Sequence, residues 1–91
     1  ISPGSVAPAH FHPETEEIVY CLKGELMAMY NGEEIPLHTG DMFLAEPGAH
    51  HTVFNASNET AILIAMHPTT EPVREPVEWT PTTPLPTLPN A

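Results

Sequence analysis

Residues 4–24, GSVAPAHFHPETEEIVYCLKG, decide the fold, together with residues 40–55, GDMFLAEPGAHHTVFN. In the first stretch His10 and His12 flank Phe11, so on an extended strand both imidazoles leave the same face, about 6–7 Å apart. Glu17 follows beyond the break at Pro13, and the second stretch brings His51 just past a Pro47-Gly48 turn. Residues so far apart in the chain form one site only where their strands meet. A β-barrel would gather these four side chains around a single metal ion.

The rest of the chain supports an all-β reading. Short apolar runs alternate with turn residues at spacings suited to a sandwich or barrel. Strands are expected over approximately 6–12, 17–23, 25–30, 33–38, 42–46, 50–55 and 60–67. Asn31-Gly32 is a two-residue hairpin signal, because both central positions of a type I′ turn need positive φ. It joins ELMAMY to EEIPLH. Further turns are expected at Thr39-Gly40-Asp41, Pro47-Gly48 and Ala56-Ser57-Asn58.

At these residues the chain resembles the cupin superfamily, whose signatures are G-x5-H-x-H-x(3,4)-E-x6-G and G-x5-P-x-G-x2-H-x3-N. Gly4, His10, His12, Glu17 and Gly24 reproduce the first, and Gly40, Gly48, His51 and Asn55 fall in place in the second. One departure is visible: Glu46 stands where the second signature has its proline, and Pro47 follows it. Residues 25–39 leave room for one hairpin between the signatures and for no inserted domain. The resemblance implies a cupin-type double-stranded β-helix, or jelly-roll barrel, over residues 1–67. It also implies one divalent transition metal per chain, held by His10, His12, Glu17 and His51.

Strand alternation assigns the surroundings. From Glu17 the same face carries Val19 and Cys21, and from His51 it carries Val53 and Asn55. Val19, Cys21 and Val53 are expected to wall the cavity near the metal, with Asn55 bracing the adjoining loop by hydrogen bonds. Cys21 reads either as a thiol beside the metal or as a small buried hydrophobe. His50 points away from His51 toward the surface, and His38 and His67 read as partly exposed histidines at strand ends. Met27, Met29, Met42 and Met66 suit an adaptable apolar interior.

Three imidazoles and one carboxylate leave one or two positions open on a metal that prefers five or six ligands. Fe, Mn, Ni, Co and Zn all remain open. Fe(II) would admit dioxygen beside a chelating substrate, whereas Zn or Mn would polarise a carbonyl or enolise a substrate. General base candidates are few: Glu17 if it leaves the metal, or Tyr20 under a different strand phase. The expected function is therefore a metal-dependent enzyme of dioxygenase, isomerase or lyase type acting on an oxygen-rich small molecule. The alternative is a noncatalytic module that binds a metal or small ligand, or senses it. No catalytic residue is assigned.

Composition bounds the partners. The 91 residues suit one domain with a modest core, and twelve acidic residues against Lys23 and Arg74 give a formal charge of −10. Such a charge repels phosphate backbones and anionic headgroups, so neither nucleic acid nor membrane is an expected partner. Cys21 is the only cysteine, which excludes an intrachain disulfide, and a reducing cytoplasm is the default location. The chain begins with Ile1, so a removed leader stays open. Residues 68–91 carry seven of the twelve prolines and are expected to form an extended tail on the barrel or on a partner subunit, anchored by Val73, Val77 and Trp79 and extended by Leu85 and Leu88. Exposed sheet edges point to a homodimer.

Overall fold

A computed structural model describes residues 1–69 and 73–87. They form strands β1 (His10–Phe11), β2 (Glu17–Lys23), β3 (Glu25–Tyr30), β4 (Glu33–His38), β5 (Met42–Ala45), β6 (His51–Phe54), β7 (Ile62–Met66) and β8 (Glu75–Pro76), with no helix among the described residues. The strands pair antiparallel in a five-stranded sheet ordered β4-β3-β6-β1-β8 and a three-stranded sheet ordered β5-β2-β7. Leu88 lies outside the described residues.

The two sheets pack face to face because each turns one apolar row inward. Val19 and Cys21 of β2 meet Leu26 and Ala28 of β3, Leu37 of β4 and Val53 of β6, with Ala61 closing one end. Alternation is clean along β2, where Glu17, Val19 and Cys21 are buried while Ile18, Tyr20 and Leu22 face outward. All four residues of β6 are buried, because this strand is also covered from outside. Phe54 is fully buried against Trp79, ring centres 5.5 Å apart, a burial worth about 1.5–3 kcal/mol.

Turn chemistry fixes the registers. Asn31 (φ 48°) and Gly32 (φ 89°) make the hairpin between β3 and β4. Asn31 also reaches across to the approach of β6, its Oδ1 accepting the His50 N–H at 2.9 Å. Pro47-Gly48 keeps its turn despite the preceding glutamate. Gly48 has φ 82°, and the Ala49 N–H closes onto the Glu46 carbonyl at 3.0 Å, as a type II turn requires. At Gly24 a side chain would meet the Ala61 Cβ at 3.0 Å, so the close approach of residues 60–61 needs glycine there.

The first strand is shorter than the expected 6–12. Pro8 and Pro13 bracket it, and neither can donate to a ladder, so only His10–Phe11 pair, while Val6 makes a single bridge to Phe54. The sequence reading did not include β8. It pairs with β1 through His10–Pro76 and Phe11–Glu75, and the Val77 N–H donates to the Ala9 carbonyl at 2.9 Å. Further on, the Thr82 hydroxyl and the Thr82 and Thr83 amides donate to the Glu34 carboxylate. Leu85 remains largely exposed.

The outer face of the three-stranded sheet is apolar. Ile18 lies between Leu44 and Met66, and Tyr20 between Met42 and Ile64. Met42, Leu44, Ile62, Ile64 and Met66 are all exposed.

Candidate metal centre

Three strand connections bring the four signature side chains together. The β1–β6 register sets His10 opposite His51. His12 follows directly after β1, and Glu17 opens β2 in the opposite sheet. One ligand atom from each of His10, His12, Glu17 and His51 falls within 4.8 Å of all the others, a group that can hold a metal ion. Glu17 Oε1 stands at the centre, 2.5 Å from His51 Nε2, 3.4 Å from His12 Nε2 and 3.6 Å from His10 Nε2.

The outward nitrogens fix how the rings present themselves. His10 Nδ1 lies 2.8 Å from the Pro8 carbonyl, His12 Nδ1 2.8 Å from the Val73 carbonyl and His51 Nδ1 3.0 Å from the Ala49 carbonyl. A carbonyl only accepts, so each Nδ1 carries the proton, and in a neutral ring Nε2 is left with its lone pair directed inward. Backbone carbonyls orienting ligand histidines in this way are a regular outer shell of metal sites.

The donor set fits a cation. His10 Nε2 is buried with no hydrogen-bond partner, and its lone pair and that of His12 both face a carboxylate oxygen. Without a positive charge among them these atoms repel. Burial disfavours a charge on Glu17, but the hydrogen bond from His51 and the positive potential of His51, His67 and His10 hold its carboxyl down at about 2. Burial likewise disfavours a charged His51, yet its bonds to Glu17 and the Ala49 carbonyl raise its pKa. At His10 burial wins and the pKa falls. A proton on His51 thus occupies part of the space that a cation would share.

Beside this group lies a cavity of about 210 Å³ whose apolar walls include Val19, Val53, Leu63 and Ala65, and which His10, Glu17 and His51 also line. Cys21 shares the phase of Val19 but sits in the core, fully buried, its thiol 3.4 Å from the Gly24 carbonyl. It is not part of the cavity lining, and burial pushes its pKa up. Asn55 braces the following loop. Its amide donates to the Ile1 and Glu59 carbonyls, and its Oδ1 accepts from the Ser57 amide and hydroxyl. His50 is exposed and stacks on Phe11, and His38 pairs with Glu25 at the surface.

Two residues near the site are not among those the sequence assigns to it. His67 places its Nε2 3.3 Å from both His12 Nε2 and Glu17 Oε2. The signal was present, since His67 keeps the inward phase of Leu63 and Ala65 while Ile62, Ile64 and Met66 face out. Arg74 lines the cavity from the C-terminal segment, and only its rarity as a cation marked it.

Two antiparallel sheets closed around three inward histidines and one glutamate define a double-stranded β-helix with a candidate metal site. Residues 1–67 match the family model described as Cupin domain, and the chain belongs to that family. It is similar to the tetracenomycin polyketide synthase protein TcmJ of Streptomyces glaucescens, at 28% identity over 84% of this chain and 58% of the relative. It is also similar to an oxalate-binding protein of Thermotoga maritima, at 32% identity over 72% of this chain and 54% of the relative. The chain thus spans a little over half the length of these two relatives. Among solved structures, an uncharacterised double-stranded β-helix protein of Klebsiella pneumoniae superimposes with a TM-score of 0.80 at 25% identity, covering 86% of this chain and 69% of that one.

Proposed function

We propose that this chain is a metal-dependent cupin enzyme of dioxygenase, isomerase or lyase type that acts on an oxygen-rich small molecule. The observation carrying this reading is the convergence of four ligand atoms, three of whose residues, His10, Glu17 and His51, also line an apolar cavity that a ligand could enter. His10, His12 and His51 offer nitrogen lone pairs and Glu17 an ionised carboxylate. A bound divalent ion would supply Lewis acidity and a point of attachment for the oxygen atoms of a substrate. The walls formed by Val19, Val53, Leu63 and Ala65 displace water, which strengthens electrostatic interactions at the site. The three backbone carbonyls hold the rings in the ligating tautomer before any metal arrives. We further propose that the working form is a homodimer. On a chain of charge −10, the outer face of the three-stranded sheet is the surface where two copies meet without carboxylates opposing one another.

Elemental analysis of protein purified without a metal-affinity step tests the first part, followed by turnover assays under air with diketones, catechols and hydroxy acids. About one metal per chain and turnover with one of these classes is expected. Metal uptake without any turnover would favour the noncatalytic binding module. No uptake after anaerobic addition of Fe, Mn, Ni and Zn would sink both the metal and the enzyme readings.

A further inference from the structure

Arg74 is one of two cations in a chain with twelve acidic residues, yet among the described residues it forms no ion pair. Arg74 is exposed, and it lines the cavity that His10, Glu17 and His51 also line. Its position is fixed from both sides. The carbonyl of Val73 accepts from His12 at 2.8 Å, and Glu75 pairs with Phe11 in the sheet. The root of the Arg74 side chain is therefore held in register with the histidine pair. Its charge reaches the site, since it disfavours protonation of both His10 and His51.

Apart from the metal-ligand group, the polar side chain left in the lining is committed. The Thr52 hydroxyl donates to the Ala7 carbonyl at 2.6 Å, and the walls are otherwise apolar. A divalent ion held by one carboxylate and three neutral imidazoles would keep a net positive charge, to which Arg74 adds another. The cavity is thus positive within a negative protein. At about 210 Å³ it lies below the ~300–1,000 Å³ of sites for drug-sized ligands. Its occupant is small.

Building on the metal-site reading above, we infer that Arg74 is the anion anchor of this site and that the ligand is a small organic carboxylate. One oxygen-bearing end of the ligand lies toward His10, Glu17 and His51, and its carboxylate lies against the guanidinium fork, whose planar pair of donors matches a carboxylate.

The test uses the full chain loaded with Co(II), with glycolate and malonate as charged probes and glycolamide as the neutral one. Calorimetry reads affinity, and the visible Co(II) spectrum reads entry to the site. Glycolate or malonate is expected to bind and perturb the spectrum, with glycolamide much weaker. Arg74→Gln should weaken the charged probes by about 10–100-fold, the loss expected for one charge-assisted pair, without weakening Co(II) binding, since the charge removed has the same sign as the ion. Arg74→Lys should recover part of that loss. Equal carboxylate affinity in wild type and Arg74→Gln, or no preference for glycolate over glycolamide, would overturn the anchor role while leaving the metal site standing. Failure to take up Co(II) would overturn the metal reading and this inference with it.

Discussion

His12 and Val73, 61 residues apart in the chain, are joined by one hydrogen bond, in which the His12 Nδ1–H donates to the Val73 carbonyl at 2.8 Å. The segment that follows the barrel strands therefore sets the tautomer of a candidate ligand. A chain ended at Thr69 is expected to keep its β-sheet dichroism and to bind metal about 10–100-fold more weakly. Competition with a chelator measures this. Unchanged affinity in the shortened chain would show that His12 holds its orientation without the segment.

His51 contributes the shortest contact to Glu17 among the site nitrogens. His51→Ala is expected to lose most metal occupancy while the barrel stays folded. His38→Ala, altering a surface pair with Glu25, should leave occupancy alone. Equal metal content in His51→Ala and wild type would remove His51 from the ligand set.

Metal and proton compete for the same place. In the metal-free site the pKa of His51 is raised above 6.5 and that of Glu17 is lowered from 4.5 to about 2. The contribution of His51 to metal-free stability is therefore full below 6.5 and disappears as pH rises through its raised value. That of Glu17 is full above 4.5 and drains as pH falls toward about 2. Metal uptake near pH 6 should release about one proton, seen as a dependence of the binding heat on the ionisation enthalpy of the buffer. A heat independent of buffer would mean that His51 is already neutral.

Glu34 offers a second pH effect, distant from the site. A burial penalty is outweighed by hydrogen bonds from Thr82 and Thr83, which hold its carboxyl at about 2 against 4.5. The depressed value means that docking of this segment is fully supported above 4.5 and weakens as pH falls toward about 2. Trp79 fluorescence should report the change in that window, and Glu34→Gln should abolish the pH step. An identical step in both proteins would assign it to another group.

The apolar outer face of the β5-β2-β7 sheet predicts self-association. Light scattering at micromolar concentration should give about twice the 9.9 kDa chain mass. Ile64→Glu, placing a charge in the middle of that face, should return one chain mass. A single-chain mass for the unmodified protein would count against the homodimer.

Much of the fold was legible because its local signals agree. Alternation sets 17–23, 25–30 and 33–38, and β2, β3 and β4 have those bounds. Asn31-Gly32 turns where the φ requirement says it should. His10, His12, Glu17 and His51 were readable as a group because strand phase and spacing aim them together. β8 was not legible. A two-residue strand containing Pro76 has no periodicity to detect, and its pairing with β1 depends on the path of the whole segment. His67 is partly exposed, as its place at a strand end implies, but its contact with Glu17 depends on how the two sheets close, which its phase with Leu63 and Ala65 does not give. The core position of Cys21, deeper than the cavity wall, depends on the packing of Leu26 and Ala61 across the sheets, which phase alone does not give.

The bond that holds His12 is made by the main chain at Val73, and a peptide carbonyl is the same whatever side chain it carries. The residue at position 73 can therefore be exchanged freely without loosening the imidazole, provided the segment keeps its course past β1. Mutation can rewrite that stretch letter by letter while inheritance preserves only its route, so a contact that shapes the site leaves no signature in the amino-acid alphabet.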